Sequence, residues 1–343
     1  MDDRAKFVAK GPAHVTLDRS PATQDVAFVL LPKFTMLAFT SAVEPLRMAN
    51  QLTGRMLFRW TVLSDDGQPV ACSNGIRVMV DGRWDQVEPQ GLVFVVSGVE
   101  PEGKASAALA DWIRGLWRRG RTVGGLCTGA YALAKAGILK GRRFTLHWEN
   151  IEGFAESHPG LEPARQVFTI EDRVVTCAGG VAAADLMLQL IHDRHGAKLS
   201  QEVMNMCLLT QRRQQDDHQT TSLAARLGTR HDKLLQAAAY MEARIEEGFD
   251  LDACAAHLNL SRRQIERLFK RYLDVTPVGF MNDMRLQRGR TLLAETDMTV
   301  TEVAVACGYA STSHFSKSFR KKYGVSPYRF SHFGNSADGS DEA

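Results

Sequence analysis

The sequence lacks the features that mark a secreted or membrane-spanning chain. Over its 343 residues no apolar run approaches the roughly 20 residues that a membrane helix needs, and residues 1–24 lack the apolar centre of a signal peptide. Its six cysteines are scattered without a C-x-x-C pair, which argues against a disulfide framework or a zinc site. The net charge is only +3, so total charge does not reveal a nucleic-acid partner. The length of 343 residues predicts two domains, and these absences favour the reducing cytoplasm, no membrane contact and a flexible N-terminal segment over residues 1–24.

Strand-like and helix-like patterns alternate through the first two-thirds of the chain. Short continuous apolar runs such as VAFVLL and LVFVVSG are typical of parallel strands that are covered on both faces. Strands are predicted at residues 26–31, 58–64, 76–80, 92–98, 121–126, 144–146, 167–170 and 173–180, and helices at 105–119, 128–137 and 181–195. Residues 25–210 are therefore predicted to form an α/β domain, a mostly parallel sheet with flanking helices. Residues 211–232 are polar without a β pattern, and we interpret them as a linker.

The last third of the chain contains an internal repeat with an offset of 50 residues. Its copies, SRRQIERLFKRYLDVTPVGF from Ser261 and STSHFSKSFRKKYGVSPYRF from Ser311, share five identical positions. Each copy follows a short helix-like segment rich in small residues and a turn, which Asn259 or Gly308 supplies. The hydroxyl of Ser261 or Ser311 is placed to cap the helix that follows. A helix, a tight turn and a second helix form a helix-turn-helix, so an all-α domain with two such units is predicted.

The second helix of each unit is basic, as suits a helix that enters the major groove of DNA. Between residues 261 and 290 there are eight Lys and Arg against three acids, and between 311 and 330 five against none, so each segment has a net charge of +5. Donors near the start of these helices would reach base edges, and the cations would neutralise phosphates. The predicted DNA-binding residues are Arg262, Arg263, Gln264, Arg267, Ser311, Thr312, Ser313, His314, Lys317, Arg320 and Lys321.

Residues 233–330 resemble the AraC/XylS-type DNA-binding domain, with the densest match in VTEVAVACGYASTSHFSKSFRKKYGVSPYRF. In that family two helix-turn-helices occupy successive major grooves and are joined by a long helix, which would be residues 277–294 here. The resemblance implies double-stranded promoter DNA and RNA polymerase as partners, and transcription activation as the function. We therefore predict a DNA-binding domain over residues 233–333 and a disordered tail over the small and acidic residues 334–343.

The stretch VGGLCTGAY sets Cys127 between a strand-like run and a helix-like run. Such a turn exposes the sulfur and needs small neighbours, and a helix N-terminus is expected to lower the pKa of the thiol. The backbone N–H groups of Thr128 and Gly98 could hold an oxyanion or a ligand carboxylate, and His147 could act as a base. This elbow and the KGRRFTLHW that follows it resemble the class I glutamine amidotransferase-like superfamily, in its branch of peptidase-like and chaperone-like members. The resemblance spans about residues 26–195.

Three uses of Cys127 remain open: binding without turnover, amidase or hydrolase chemistry, and redox sensing by the thiol. A catalytic triad needs a carboxylate that orients the histidine, and Glu149 follows His147 by two residues, as the acid does in amidotransferases. In the other branch of the superfamily an acid near the start of the first helix contacts the cysteine. The matching residue here is Ala38, and the nearest acid, Glu44, lies too far along. We therefore favour binding without turnover, and no catalytic residue is predicted.

Together the two halves resemble the AraC-type activators that carry an amidotransferase-like sensor. Members that sense arginine, glycine betaine and carnitine-type compounds imply a small nitrogenous effector, either a quaternary amine or an amino acid. A quaternary ammonium group favours an aromatic box, for which Trp148, Trp84 and Phe34 are candidates. The predicted ligand-binding residues are Cys127, Thr128, His147, Trp148, Gly98 and Phe34.

No cofactor and no metal site are predicted. His192 and His195 share a helical face, but no third metal ligand is evident in the sequence. We expect the α/β domain to form a homodimer. We also expect ligand binding to change the relative disposition of the two domains through the linker, which requires that the ligand prefer one arrangement.

Overall fold

The structure is a computed structural model that describes residues 6–17, 22–87, 89–219 and 223–332. The chain divides into two compact units, Met1–Gln219 and Thr220–Ala343. Within the described ranges no helix is both long and apolar enough to cross a bilayer. The first unit is built on a β-sheet, whereas the described part of the second unit is built from helices.

The strands of the first unit are β1 Gln24–Leu30, β2 Phe58–Ser64, β3 Val70–Ala71, β4 Arg77–Val78, β5 Gly82–Arg83, β6 Leu92–Val96, β7 Val123–Leu126, β8 Phe168–Glu171 and β9 Val174–Cys177. Seven of them form one sheet in the order β5-β2-β1-β6-β7-β9-β8. Neighbouring strands in this sheet are parallel, except that β8 and β9 are antiparallel. The predicted α/β class with a mostly parallel sheet is therefore confirmed.

Two of the predicted strands differ from the structure. Residues 76–80 supply only β4, because this stretch pairs with β3 in a small ribbon outside the main sheet. Residues 144–146 form no strand, and Thr145 makes an isolated bridge with Ala164. The Thr145 hydroxyl also donates to the carbonyls of Ala164 at 2.7 Å and Gln166 at 2.9 Å, so this stretch is held by side-chain bonds instead of a ladder.

The helices of the first unit are α1 Met36–Thr53, α2 Ala107–Arg118, α3 Ala130–Lys135, α4 Ile151–Ser157, α5 Ala182–His195 and α6 Ala197–Met206. They cover both faces of the sheet. Phe28 of β1 packs in the core formed with α1, α5 and α6, whereas Val29 packs in the core formed with α2, α3 and α4. Both residues are fully buried, which explains why β1 is a continuous apolar run.

The N-terminal stretch is packed against the first unit where the structure describes it. Phe7 and Val15 are buried, and the Phe7 carbonyl accepts from Asn50 Nδ2 at 3.0 Å. The Val15 N–H donates to the Leu52 carbonyl at 2.7 Å. The prediction of a flexible N-terminus is therefore wrong for residues 6–17.

The first part of the predicted linker also belongs to the first unit. The Val167 N–H donates to the Asp217 carbonyl at 2.9 Å, and the Gln219 N–H donates to the Arg165 carbonyl at 3.0 Å. These backbone bonds attach residues 211–219, hereafter the docked segment, beside the chain that leads into β8. The linker prediction is wrong for the docked segment, because a polar segment can pair through its backbone without leaving a side-chain pattern.

The helices of the second unit are α7 Leu223–Arg226, α8 Asp232–Glu242, α9 Leu251–His257, α10 Arg262–Leu273, α11 Pro277–Glu295, α12 Val300–Ala306, α13 Thr312–Tyr323 and α14 Pro327–His332. The pairs α9–α10 and α12–α13 are the predicted helix-turn-helix units, and α11 joins them. Both turns contain a left-handed residue at the predicted position, Asn259 with φ +54° and Gly308 with φ +70°. The tail predicted to be disordered, residues 334–343, lies outside the described residues.

Each helix-turn-helix has its own hydrophobic core. Ile265 and Phe269 of α10 are fully buried in the first core, and Phe315 and Phe319 of α13 are fully buried in the second. The joining helix α11 contributes side chains to both cores. At Gly289 of α11 an added Cβ would lie 2.7 Å from the Phe315 ring, so this position needs glycine for the close approach of α13.

Candidate functional sites

Cys127 lies on a sharp turn between β7 and α3, as the sequence predicted. Its φ is +59°, a left-handed conformation that a residue with a side chain adopts only under constraint. Its N–H donates to the Cys177 carbonyl at 3.0 Å, which holds the turn against β9. The small neighbours are required, because a Cβ added at Gly129 would lie 2.2 Å from the Val95 carbonyl oxygen.

The Cys127 sulfur is shielded from solvent. Only 5% of the residue is exposed, and Sγ lies 3.4 Å from the Thr35 hydroxyl oxygen. Burial raises the pKa of the thiol above its ordinary value, although hydrogen bonds from Thr35 and from the Thr128 N–H lower the pKa in part. The expectation that a helix N-terminus lowers this pKa is therefore wrong, since desolvation outweighs the stabilising contacts. The sulfur is a protonated thiol at neutral pH.

His147 is attached to the elbow through its backbone. Its N–H donates to the Cys127 carbonyl at 3.3 Å. Its ring Nδ1 lies 3.9 Å from Glu149 Oε2, which is beyond hydrogen-bond distance, so this carboxylate does not orient the imidazole. Burial lowers the pKa of His147, and the charge of Glu149 opposes this in part. The imidazole is therefore neutral at neutral pH.

The two positions considered for an acid that contacts the cysteine are occupied differently. Ala38 is fully buried in α1 and offers only a methyl group. Glu44, further along the same helix, forms an ion pair with Arg47 at 2.8 Å. Neither position supplies a carboxylate for activating the thiol.

The predicted oxyanion donors hold together the loops around the elbow. The Thr128 hydroxyl donates to the Gly98 carbonyl at 2.7 Å, and Thr128 is fully buried. At Gly98 an added Cβ would lie 2.4 Å from the Lys33 carbonyl oxygen and 2.7 Å from the Thr35 nitrogen. These contacts join the carboxyl ends of β1, β6 and β7, the edge where ligands bind in open α/β sheets.

Of the three aromatic candidates for a ligand box, only Trp148 is exposed, at 50%. Phe34 is 0% exposed and packs edge-on against Phe39, so the prediction that it contacts a ligand is corrected: it is a core residue. Trp84 is buried, and its Nε1 donates to Asp65 at 2.7 Å. Phe34 and Trp84 also belong to the cores on opposite faces of the sheet, so the three rings do not form one box.

A shallow pocket of about 200 Å³ lies beside the elbow. The residues that line it are His147, Trp148, Val167, Ala178, Gly179, Val181, Ala182, Arg213 and Gln219. Cys127 lies behind Gly179, where an added Cβ would come within 3.0 Å of Sγ. The lining thus includes His147 and Trp148 from the predicted set. Sequence reasoning missed Arg213 and Gln219, because their polar segment was interpreted as a linker.

The second helix of each helix-turn-helix begins at a serine cap, as predicted. Ser261 accepts from the Gln264 N–H at 3.3 Å, and Ser311 accepts from the His314 N–H at 3.2 Å. The Gln264 side chain completes a capping box by accepting from the Ser261 N–H at 2.7 Å. Gln264 therefore fixes the start of α10, and its Oε1 is already engaged in that role.

The exposed faces of α10 and α13 contain nearly all the predicted DNA-binding side chains. The exposed members of the set are Arg262, Arg263, Gln264, Arg267, Ser311, Ser313, His314, Lys317, Arg320 and Lys321. Thr312 is partly buried, and its Oγ1 lies 3.4 Å from the Thr301 hydroxyl. Arg262 pairs with Glu266 at 3.1 Å, so its charge is partly compensated within the helix.

Comparisons with known proteins cover both units. The DJ-1/PfpI family matches residues 24–193, and a helix-turn-helix domain matches residues 254–332. The chain is 44% identical over 305 residues to the HTH-type transcriptional regulator CdhR of Pseudomonas aeruginosa, covering 89% of this chain and 90% of that protein. It is 41% identical over 310 residues to the HTH-type transcriptional regulator GbdR of the same species, covering 90% of this chain and 84% of that protein. The chain belongs to the HTH-type transcriptional regulators.

A solved structure supports the fold of the first unit of this HTH-type regulator. The crystal structure of an AraC family transcriptional regulator from Pseudomonas putida aligns with a TM-score of 0.50 and 27% sequence identity. The alignment covers 54% of this chain and 99% of that chain. The aligned share exceeds the length of the second unit, Thr220–Ala343, so the alignment includes part of the first unit.

Both family resemblances are thereby confirmed for this HTH-type regulator, an AraC-type helix-turn-helix domain preceded by a DJ-1/PfpI domain. The elbow cysteine Cys127 lies within the DJ-1/PfpI match, and the helix-turn-helix match contains α10 and α13. Transcription regulation and DNA binding are therefore properties of this chain. The contacts of individual side chains with bases and phosphates stay predictions.

Proposed function

We propose that this HTH-type regulator is a ligand-responsive transcriptional activator of a catabolic operon. The DJ-1/PfpI unit binds a small nitrogenous effector, either a quaternary amine or an amino acid, and does not turn it over. The helical unit binds double-stranded promoter DNA. A homodimer formed through the first unit brings four basic helices to the promoter, and RNA polymerase is the partner that the bound regulator recruits.

The observation that carries the proposal is the duplication of an exposed, capped, basic helix. The caps Ser261 and Ser311 are equivalent, and so are the buried rings Phe269 and Phe319 that fix each helix on its core. A helix held in this way offers its N-terminal residues and its cations to a major groove. Two copies in one chain support recognition of an extended site.

Three features of the elbow support binding without turnover. Burial keeps the Cys127 sulfur as a thiol, which is a poor nucleophile. The Glu149 carboxylate lies too far from His147 to orient it, and Ala38 replaces the alternative acid. Cys127 therefore lacks the oriented base and the orienting carboxylate that a hydrolytic triad requires.

The pocket supports a nitrogenous effector. Trp148 lines it with an indole ring that is half exposed, and such a ring attracts ammonium and quaternary ammonium groups. His147 also lines it and is neutral, since burial lowers its pKa, so it does not repel a cation. The ligand positions Thr128 and Gly98 act in this proposal by holding the loops that shape the pocket.

Binding of the full-length chain to DNA from upstream of its own gene tests the proposal. Fluorescence anisotropy should show salt-sensitive, sequence-selective binding that changes when an effector from a panel of amino acids, glycine betaine and carnitine is added. Trp148→Ala should weaken the cationic effector about 2- to 30-fold, whereas Met79→Ala, which removes another exposed apolar side chain, should not. Consumption of the effector by the wild-type chain, abolished by Cys127→Ala, would establish an enzyme instead.

A further inference from the structure

The docked segment forms one wall of the effector pocket. Arg213 and Gln219 belong to this segment, and the opposite walls come from His147, Trp148 and the chain at 178–182. The segment ends where the helical unit begins in the sequence. A molecule in the pocket therefore touches both the elbow side of the sheet unit and the stretch of chain that continues into the DNA-binding helices.

Arg213 is held in place by a buried carboxylate. Its backbone N–H donates to Asp185 Oδ1 at 2.9 Å, its Nε donates to Asp185 Oδ2 at 2.8 Å, and its Nη2 forms an ion pair with the same oxygen at 2.7 Å. The Asp185 side chain is only 3% exposed, whereas the Arg213 side chain is 33% exposed. The guanidinium is thus fixed along its Nε–Nη2 edge, and its Nη1, which bonds to none of the described residues, is left for a ligand.

A ligand in this pocket meets a positive group and no accessible negative group in the lining. Asp185 is covered by the arginine that it holds, and His147 is neutral because burial lowers its pKa. Val181 and Ala182 line the pocket at the start of α5, where the helix dipole is positive. The pocket therefore favours an anionic group beside Arg213.

We propose that Arg213 binds a carboxylate of the effector and that the bound effector thereby holds the docked segment against the sheet. This inference rests on the proposed sensor function and adds a chemical requirement to it. The effector is a compact zwitterion, with its carboxylate on Arg213 and its nitrogen beside Trp148. A charge-assisted hydrogen bond from Nη1 suits a carboxylate, and a volume of about 200 Å³ suits a molecule of amino-acid size.

The contacts of Gln219 explain why the docked segment would respond to a ligand. Its Nε2 donates to the Thr145 hydroxyl at 2.8 Å and to the Leu146 carbonyl at 2.8 Å. Its Oε1 is buried and has no hydrogen-bond partner among the described residues. An unpaired buried acceptor disfavours the docked arrangement, so a ligand that binds only this arrangement shifts the balance toward it.

A matched set of charge variants of the full-length chain tests whether Arg213 binds the effector carboxylate. Arg213→Gln alone would leave the Asp185 charge buried without a partner and would destabilise the fold. The double variant D185N/R213Q removes both charges and keeps both shapes. The matched control is R83Q/D85N, which removes an ion pair outside the pocket lining, where Arg83 donates to Asp85 at 2.9 Å and 2.7 Å. The probes are glycine betaine against choline, and L-arginine against agmatine, because each pair differs by a carboxylate.

Calorimetry should show that the carboxylate probe of at least one pair binds the wild-type chain and the R83Q/D85N variant equally well. Its affinity for D185N/R213Q should fall about 10- to 100-fold, and choline or agmatine should bind more weakly than its carboxylate partner. Hydrogen exchange should slow in residues 211–219 when the carboxylate probe is bound, since the Gln219 N–H is bonded to the Arg165 carbonyl.

The outcomes separate this inference from the proposed function. Equal binding of the carboxylate probe to the wild-type chain and to D185N/R213Q overturns the claim that Arg213 binds the carboxylate. Tighter binding of choline or agmatine than of the carboxylate partner overturns it as well. A bound probe that leaves exchange of residues 211–219 unchanged overturns the link to the docked segment. In these cases the sensor function stands if the probe changes promoter binding. If no probe of any kind binds the wild-type chain, the sensor function fails and the inference fails with it.

Discussion

Equivalent cations on the two basic helices offer a direct test of how this regulator binds DNA. Arg267 of α10 and Lys317 of α13 are 50 residues apart, and each is the sixth residue of its helix. Both side chains are exposed, and the cores built on Phe269 and Phe319 do not depend on them. We predict that Arg267→Gln and Lys317→Gln weaken promoter binding and reduce its salt dependence by similar amounts.

The magnitude follows from counterion release. Each neutralised phosphate contributes about 0.9 to the slope of log K against log salt concentration. A homodimer presents each position twice, so one substitution should lower the slope by about 1.8 and the double variant by about 3.6. A monomer on DNA would show half of these decreases, so the same measurement tests the proposed dimer.

The assay is fluorescence anisotropy of a labelled promoter fragment, titrated with each full-length variant at several NaCl concentrations. Lys198→Gln in α6 is the matched control, because it removes one exposed cation from the first unit. Its slope should equal that of the wild-type chain. The reasoning is refuted if Lys198→Gln lowers the slope as much as the helix variants do, or if only one of the two helices contributes.

Three further outcomes are expected. Because burial raises the pKa of the Cys127 thiol, its alkylation by iodoacetamide should be slow at neutral pH and should accelerate only in alkaline solution. Mass spectrometry of the labelled peptide measures the rate, and rapid labelling at neutral pH would contradict this prediction. Gly289→Ala sets a methyl group 2.7 Å from the Phe315 ring, so it should lower the free energy of unfolding of the second unit by about 1–3 kcal/mol, as measured by urea denaturation. Gly248 has open space around it, so Gly248→Ala should not lower the free energy of unfolding through such a clash. Burial lowers the pKa of His195 to about 4 from its usual 6.5. Between pH 6.5 and about 4 the unfolded chain therefore binds a proton at His195 that the folded chain does not, and the free energy of unfolding should fall as the pH drops through that range. His195→Leu should flatten this dependence of unfolding free energy on pH, and His192→Leu should leave it in place.

The helical unit could be predicted closely from the sequence because several independent signals agree there. The repeat fixes equivalent positions, the serines fix where α10 and α13 begin, and the buried rings fix which face of each helix is covered. Asn259 and Gly308 mark the turns through their left-handed backbone. Local propensity and tertiary packing therefore predict the same elements.

The candidate pocket was less predictable, because its walls depend on backbone pairing and on burial. The docked segment joins the sheet unit through main-chain bonds, which leave no alternation of side chains in a polar stretch. Arg213 therefore looked like a linker residue, although Asp185 holds it at 2.7 Å. Phe34 was a candidate because a quaternary ammonium ligand favours aromatic rings, but the sequence does not give the direction of a ring, and this one is fully buried.

The elbow of this regulator has the backbone turn that presents a nucleophile in other proteins, although its Cys127 sulfur is buried. The left-handed Cys127 and the close contact at Gly129 fix the ends of β6, β7 and β9 relative to one another, whatever the state of the sulfur. A hydrolytic triad needs a thiolate and an oriented base in addition. Burial raises the pKa of the Cys127 thiol, and Glu149 lies 3.9 Å from the His147 ring, which is beyond hydrogen-bond distance. The same rigid edge sets Cys127 directly behind Gly179, which lines the pocket, so the turn positions a pocket wall without any reaction of the sulfur.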